Sequence, residues 1–238
     1  MQQQFTAFID DLKQSHGDNL VSVILYGSAA VGDHLPQRSD YNLLIALRRI
    51  APEDLRNAHA CVREWRRLGN PIPVYFTVSE LQNASDVFPI EFHQMSVARK
   101  VLYGPDLLAD IEITDKNLRL QTEYELRSKL ILLRREYIPA STSVEKLKLL
   151  MSQSLPSFVA LFRAVLIVKG VEPPAKKREI IAATAQAINI DGVPFEKIFN
   201  IRKNNFTEKL DEILANELFA AYLEQIEKVI DAVDAVGE

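Results

Sequence analysis

Four residues near the start of the chain have the types and spacing of a metal-assisted phosphate site: Gly27, Ser28, Asp40 and Asn42. An apolar run ending at Tyr26 meets Gly27-Ser28, and a second apolar run opens with Asp40-Tyr41-Asn42. Glycine permits a turn tight enough for backbone N–H groups to approach a phosphate, and serine can cap a short helix whose free N–H groups attract anions. Side chains alternate along a strand, so Asp40 and Asn42 are expected on one face beside that turn. A carboxylate there can hold a divalent cation, which in turn grips phosphate oxygens. Arg38 and His34 lie on the same connection, where each could meet a phosphate or face water.

The pattern resembles the signature of the polymerase-beta-like nucleotidyltransferase superfamily: an apolar strand ending in Gly-Ser and, about a dozen residues on, an Asp-x-Asp or Asp-x-Glu pair opening the next strand. The resemblance implies that Gly27 and Ser28 hold the triphosphate of a nucleotide and that Asp40 binds magnesium. It implies too that position 42 supplies a second carboxylate and that a later strand supplies a third. Here position 42 is Asn. Its amide offers one neutral oxygen and no charge to offset two cations, so Asn42 is expected to be a weak co-ligand. The later strand candidate, residues 71–78, carries no Asp or Glu. Glu91 is the best remaining metal ligand, flanked by Ile90 and Phe92, and Asp86 is the other; both stand beside the plainer reading of solvated carboxylates.

The elements that must position these residues are legible as periods. Phe5, Phe8, Ile9 and Leu12 recur at helical spacing, ending at His16-Gly17, with His16 expected in solvent. Strands are expected over 20–26, 41–47 and 72–78. Pro52 to Leu68 reads as one amphipathic helix with Leu55, Ala58, Val62 and Trp65 on its inner face. A short helix starts near Glu80, residues 90–95 fit strand or helix, and Lys100 to Gly104 resembles the closing strand of many nucleotidyltransferases. From Leu118 onward helical periods dominate: 118–138, then 144–169 with Pro156 expected to kink or split it, 176–188, a short piece at 195–202, and 206–236. The expected fold class is α+β, a nucleotidyltransferase-like mixed sheet flanked by helices over 1–117, followed by an all-α helical bundle over 118–238. Glu123, Arg127 and Arg163 could line a cleft facing Gly27-Ser28.

Composition bounds the partners. A 238-residue chain that is 47% hydrophobic and 25% charged can bury a real core. Its formal net charge of −4 is carried by the first half, the second being neutral, so neither half is the basic body of a sequence-independent nucleic-acid binder. The residues after Met1 lack the basic and apolar regions of a signal peptide, and no apolar run is read as long enough to span a membrane. The single Cys61 cannot form an internal disulfide and reads as a small buried side chain in a reducing cytoplasm.

Two functions from different classes follow, with a third beside them. The first is a superfamily member with weakened or lost transferase activity that keeps a nucleotide cleft. The second is an active magnesium-dependent transferase moving a nucleoside monophosphate from a triphosphate to a hydroxyl on a small molecule or protein. The third is a structural or protein-interaction module, marked by an apolar patch in place of a cleft.

Overall fold

A computed structural model describes residues 2–27, 29–30, 41–83, 85–206 and 209–237. The chain divides into two compact units, Met1–Thr114 and Asp115–Glu238. The first holds a mixed four-stranded sheet with helices, the second helices alone, which is the α+β architecture the periods imply.

In the first unit, helix α1 (Gln2–His16) leads through one 3₁₀ turn into strand β1 (Leu20–Tyr26), which pairs antiparallel with β2 (Asn42–Leu47). Helices α2 (Pro52–Asn57) and α3 (His59–Arg67) follow, then β3 (Val74–Thr77), α4 (Val78–Asn83), α5 (Pro89–Val97) and β4 (Arg99–Tyr103). The sheet order is β3-β2-β1-β4, with β2 and β3 parallel and β1 and β4 antiparallel. Alternation sorts the apolar strands onto two faces. Val23, Leu25, Leu43, Ile45 and Leu47 meet Phe8 and Leu12 of α1 and Cys61 and Trp65 of α3. Ile24, Leu44 and Ala46 meet Leu81 of α4 and Phe92 and Met95 of α5. Burying both faces is why these strands read as continuous apolar runs.

Several expectations are corrected here. Residues 52–68 form two helices, broken at Ala58. The Asp54 carboxylate accepts hydrogen bonds from Ala51 N at 2.8 Å and from Asn19 Nδ2 at 3.1 Å, so the buried stripe runs through Asp54, Ala58, Cys61 and Trp65. That rotation turns Leu55 outward. His16 is buried, its ring set edge-on to Tyr75 with centroids 5.9 Å apart, and neither ring nitrogen has a hydrogen-bond partner among the described residues. Residues 90–95 are helical, opened by Pro89 at the first turn. Strand β3 stops at Thr77 because Glu80 and Thr77 cap the next helix reciprocally: Thr77 N donates to Glu80 Oε2 at 2.6 Å, and Glu80 N donates to Thr77 Oγ1 at 3.1 Å.

The β4 turn is fixed by crowding. Gly104 has φ +74°, and a Cβ there would lie 2.0 Å from the Val21 carbonyl oxygen, so only glycine fits without moving backbone. The buried Ser22 hydroxyl lies 3.0 Å and 2.7 Å from the carbonyl oxygens of Tyr103 and Pro105, pinning the same corner.

The second unit is built on α7 (Val144–Val168), which packs against α6 (Asp115–Ala140), α8 (Lys177–Ile188), α9 (Val193–Arg202) and α10 (Glu212–Asp234). Pro156 does not split it. The Ser152 carbonyl, four residues back, loses its N–H partner to the proline, and Arg202 Nη1 donates to that oxygen at 2.8 Å. By length and mean hydropathy α7 is apolar enough to cross a membrane, contrary to the sequence expectation. Leu147, Met151, Phe158, Phe162 and Val165 are buried in the packing of this unit, while Leu149 is exposed. Phe195 and Tyr222 close the core edge-to-face, with ring centroids 5.5 Å apart.

Candidate functional site

Gly27 and Asn42 meet at one end of the sheet. Tyr26, the last residue of β1, pairs with Asn42, the first of β2. Gly27 follows with φ +82°, in the left-handed region that favours glycine. Its N–H donates to the Ala98 carbonyl at 2.8 Å, and its own carbonyl accepts from Ala30 N at 2.9 Å, closing a tight turn. A Cβ at Gly27 would stand 3.5 Å from Asn42 Nδ2, so the turn and the amide are neighbours in contact range. Ser28 and Asp40, the other two residues of the motif, lie outside the described residues, as do Arg38 and His34.

Strand register adds a residue that no local motif announces. Tyr26 pairs with Asn42 on one side and with Arg99, the first residue of β4, on the other. Cross-strand partners share a face, so Arg99, Tyr26 and Asn42 form a row beside the glycine turn. Arg99 is anchored: its Nε lies 2.9 Å from Asp106 Oδ2, and its Nη1 donates to the Ser96 carbonyl. A cation thus borders the site with a carboxylate holding its orientation. Burial raises the Tyr26 hydroxyl above its ordinary pKa, so that group stays protonated. Only the β1–β4 pairing reveals Arg99; nothing in its immediate sequence would.

The supplementary acids fall differently. Glu91 sits on the exposed side of α5, between buried Ile90 and Phe92, on a helix and not on the edge strand that its flanks also fit. Asp86 is exposed in the turn before α5. β3 itself carries no acid, and Glu80, the first carboxylate after it, is committed to the helix cap. Among the described residues no three His, Cys, Asp or Glu side chains gather as a metal-holding group. Asn42 contributes one neutral oxygen, where two-metal chemistry wants charge to offset paired dications about 3.5–4 Å apart.

The charged candidates of the helical unit have partners inside it. Glu123 bridges Arg119 and Arg127 at 3.1 Å and 2.7 Å, and Arg127 also reaches Asp234 at 3.1 Å. Arg163 donates to the Pro174 carbonyl at 2.8 Å. Their geometry is that of α6, α7 and α10 packing.

The chain matches no protein-family model and no curated protein. Among solved structures it is similar to the spectinomycin adenyltransferase AAD(9) from Enterococcus faecialis, crystallised with ATP and spectinomycin. The similarity covers 98% of each chain with a TM-score of 0.59, at 13% sequence identity. The two share a fold along their whole length.

Proposed function

We propose that this chain is a nucleotidyltransferase-fold protein that holds a nucleoside triphosphate at the turn of Gly27 and Ser28 and transfers its nucleoside monophosphate weakly or not at all. The observation that carries the reading is the contact of the left-handed Gly27 turn with Asn42 at the head of β2. A left-handed glycine turn lies beside a neutral amide at position 42, where the superfamily resemblance expects a carboxylate. The neighbour crystallised with ATP supports the nucleotide. Arg99 adds a positive charge on the same sheet face, balanced by Asp106.

Magnesium would bind with the nucleotide, held by Asp40 with Asn42 as a weak co-ligand; when present it neutralises phosphate charge. Glu91 is retained as a candidate ligand. Losing one well-placed electrostatic stabiliser costs roughly 10²–10³ in rate, and here position 42 is Asn where the resemblance expects the second carboxylate, while β3 carries no acid to serve as the third. This reading assigns residues 1–117 to nucleotide binding and 118–238 to a helical domain, and places the protein in the cytoplasm, where ATP is.

The second reading is an active transferase acting on a small-molecule hydroxyl. It is favoured by the neighbour's second ligand, spectinomycin.

Thermal unfolding with ATP and magnesium, together with pyrophosphate release in the presence of spectinomycin, separates the two. Saturating nucleotide at about 100 times its Kd raises stability by about 2.7 kcal/mol through linkage. On the weakened reading, pyrophosphate release stays far below the ~1 s⁻¹ at the low end of ordinary turnover. Turnover at that rate or above establishes the active reading, and absence of any nucleotide effect on the melting temperature removes both. Asn42→Asp restores a charge at the head of β2 and is expected to tighten magnesium binding about tenfold, near the 1.4 kcal/mol that a tenfold change represents. Unchanged affinity would take Asn42 out of the site.

A further inference from the structure

The geometry that covers the centre of the sheet leaves one flank bare. α3 drives Cys61 and Trp65 over β1 and β2, while β3 is the sheet edge. Between α3 and that edge lies a groove of about 540 Å³, lined by α2, α3 and residues 72–75. The volume falls within the range of small organic ligands, about 300–1,000 Å³.

The groove has a divided chemistry. Its floor is apolar: Leu55 is 46% exposed and Ile72 59% exposed, beside the ring of Tyr75. Its rim carries Arg63, Arg66 and Arg67, and no carboxylate is among the lining residues. Glu64 lies off the groove and draws two of these cations, Arg63 at 3.5 Å and Arg67 at 2.9 Å, in an exposed cluster that is worth little as stability. The ring of Tyr75 completes the apolar lining, while its hydroxyl is buried and has no hydrogen-bond partner among the described residues.

We propose that this groove binds a small organic anion with an apolar body, such as a medium-chain carboxylate, its tail on Leu55 and Ile72 and its charge at the arginine rim. The site shares no residue with the Gly27 turn or Asn42, so it stands or falls apart from the nucleotide reading. Amphipathic ligands are selected by the joint demand: a purely polar anion gains nothing from the floor, and an apolar cation meets repulsion at the rim. Nucleic acid fits worse, because an apolar floor offers its phosphates nothing.

Isothermal titration of the full chain with dodecanoate, below its micelle concentration, tests the assignment against dodecyltrimethylammonium, which has the same tail and the opposite charge. Dodecanoate is expected to bind and the ammonium compound to bind at least about tenfold more weakly, since the carboxylate gains charge-assisted hydrogen bonds at the arginine rim and the ammonium meets repulsion there. Arg66→Glu and Ile72→Asp, both at exposed positions, are each expected to weaken dodecanoate by at least about tenfold while leaving the far-ultraviolet circular dichroism and the melting temperature unchanged. Equal affinity for the two amphiphiles overturns the proposal. So does dodecanoate binding indifferent to both substitutions, or displacement of dodecanoate by a short single-stranded DNA.

Discussion

At the scale of single residues, the site rests on a glycine whose backbone no other side chain adopts cheaply. Gly27 at φ +82° would cost roughly 1–2 kcal/mol if replaced by an L-residue with a Cβ. Gly27→Ala is therefore expected to lower stability by about that amount and, by displacing the turn, to abolish the nucleotide-induced rise in melting temperature. A thermal shift series with and without ATP reads both effects. Retention of the nucleotide shift in a destabilised variant would separate the turn's conformation from its binding role. That Gly27 and Asn42 are neighbours was legible, because a glycine turn after one strand and the head of the next lie close when the two strands pair. His16 was not: its polar side chain at a helix end reads as solvent-facing, whereas packing against Tyr75 buries it. Arg99 was equally invisible, since its place in the row with Asn42 depends on strand pairing across more than fifty residues.

At the scale of elements, the first three strands and the helical half were readable from period, the fourth strand only through the family resemblance, and departures occur where a tertiary partner overrules a local rule. β1 is Leu20–Tyr26 as its apolar run predicts. The stretch 52–68 breaks because the buried Asp54 bonds back to Ala51 and Asn19, an arrangement that hydrophobic spacing does not encode. α7 is continuous through Pro156, and Arg202, forty-six residues on, supplies a donor to the Ser152 carbonyl that the proline leaves without its N–H partner. Arg202→Ala is expected to leave that carbonyl to water and to lower the melting temperature, at a cost of about 1 kcal/mol for a single hydrogen bond of this kind. Arg202→Lys, which keeps a donor on a shorter and less directional side chain, should recover part of it. Equal stability of wild type and Arg202→Ala would mean that the proline is accommodated by the packing around α7 alone.

At the scale of the whole molecule, the two units carry separate acid sensitivities. In the first, burial holds the His16 imidazole below its ordinary value of 6.5, a shift partly offset by Asp54. The folded unit thus favours neutral His16, and its stability is complete above that pH and declines as pH falls through and below 6.5. In the second, a hydrogen bond from Arg127, with charge from Arg127 and Arg119, holds the Glu123 carboxyl below its ordinary 4.5. That contribution is present above 4.5 and is lost only as pH drops further. Trp65, the chain's single tryptophan, lies in the first unit, so its fluorescence follows that unit while far-ultraviolet circular dichroism is dominated by helices throughout. On acidification the tryptophan signal is expected to lose thermal stability first. His16→Leu should flatten that early loss, and Glu123→Gln should flatten only the later one. A Trp65 melting temperature unchanged between neutral pH and the Glu123 range would remove His16 as the cause. The pairing of Tyr26 with Asn42 has one more consequence. The ladder that precedes the β1–β2 connection and the ladder that follows it are zipped to each other, so the chain leaves and re-enters the sheet at a single doorway. With Arg99 paired to Tyr26 on the opposite side, backbone bonding on both flanks holds that end of the sheet, so an exchange of side chain at position 42 or 99 alters what the row presents without shifting the strands that present it.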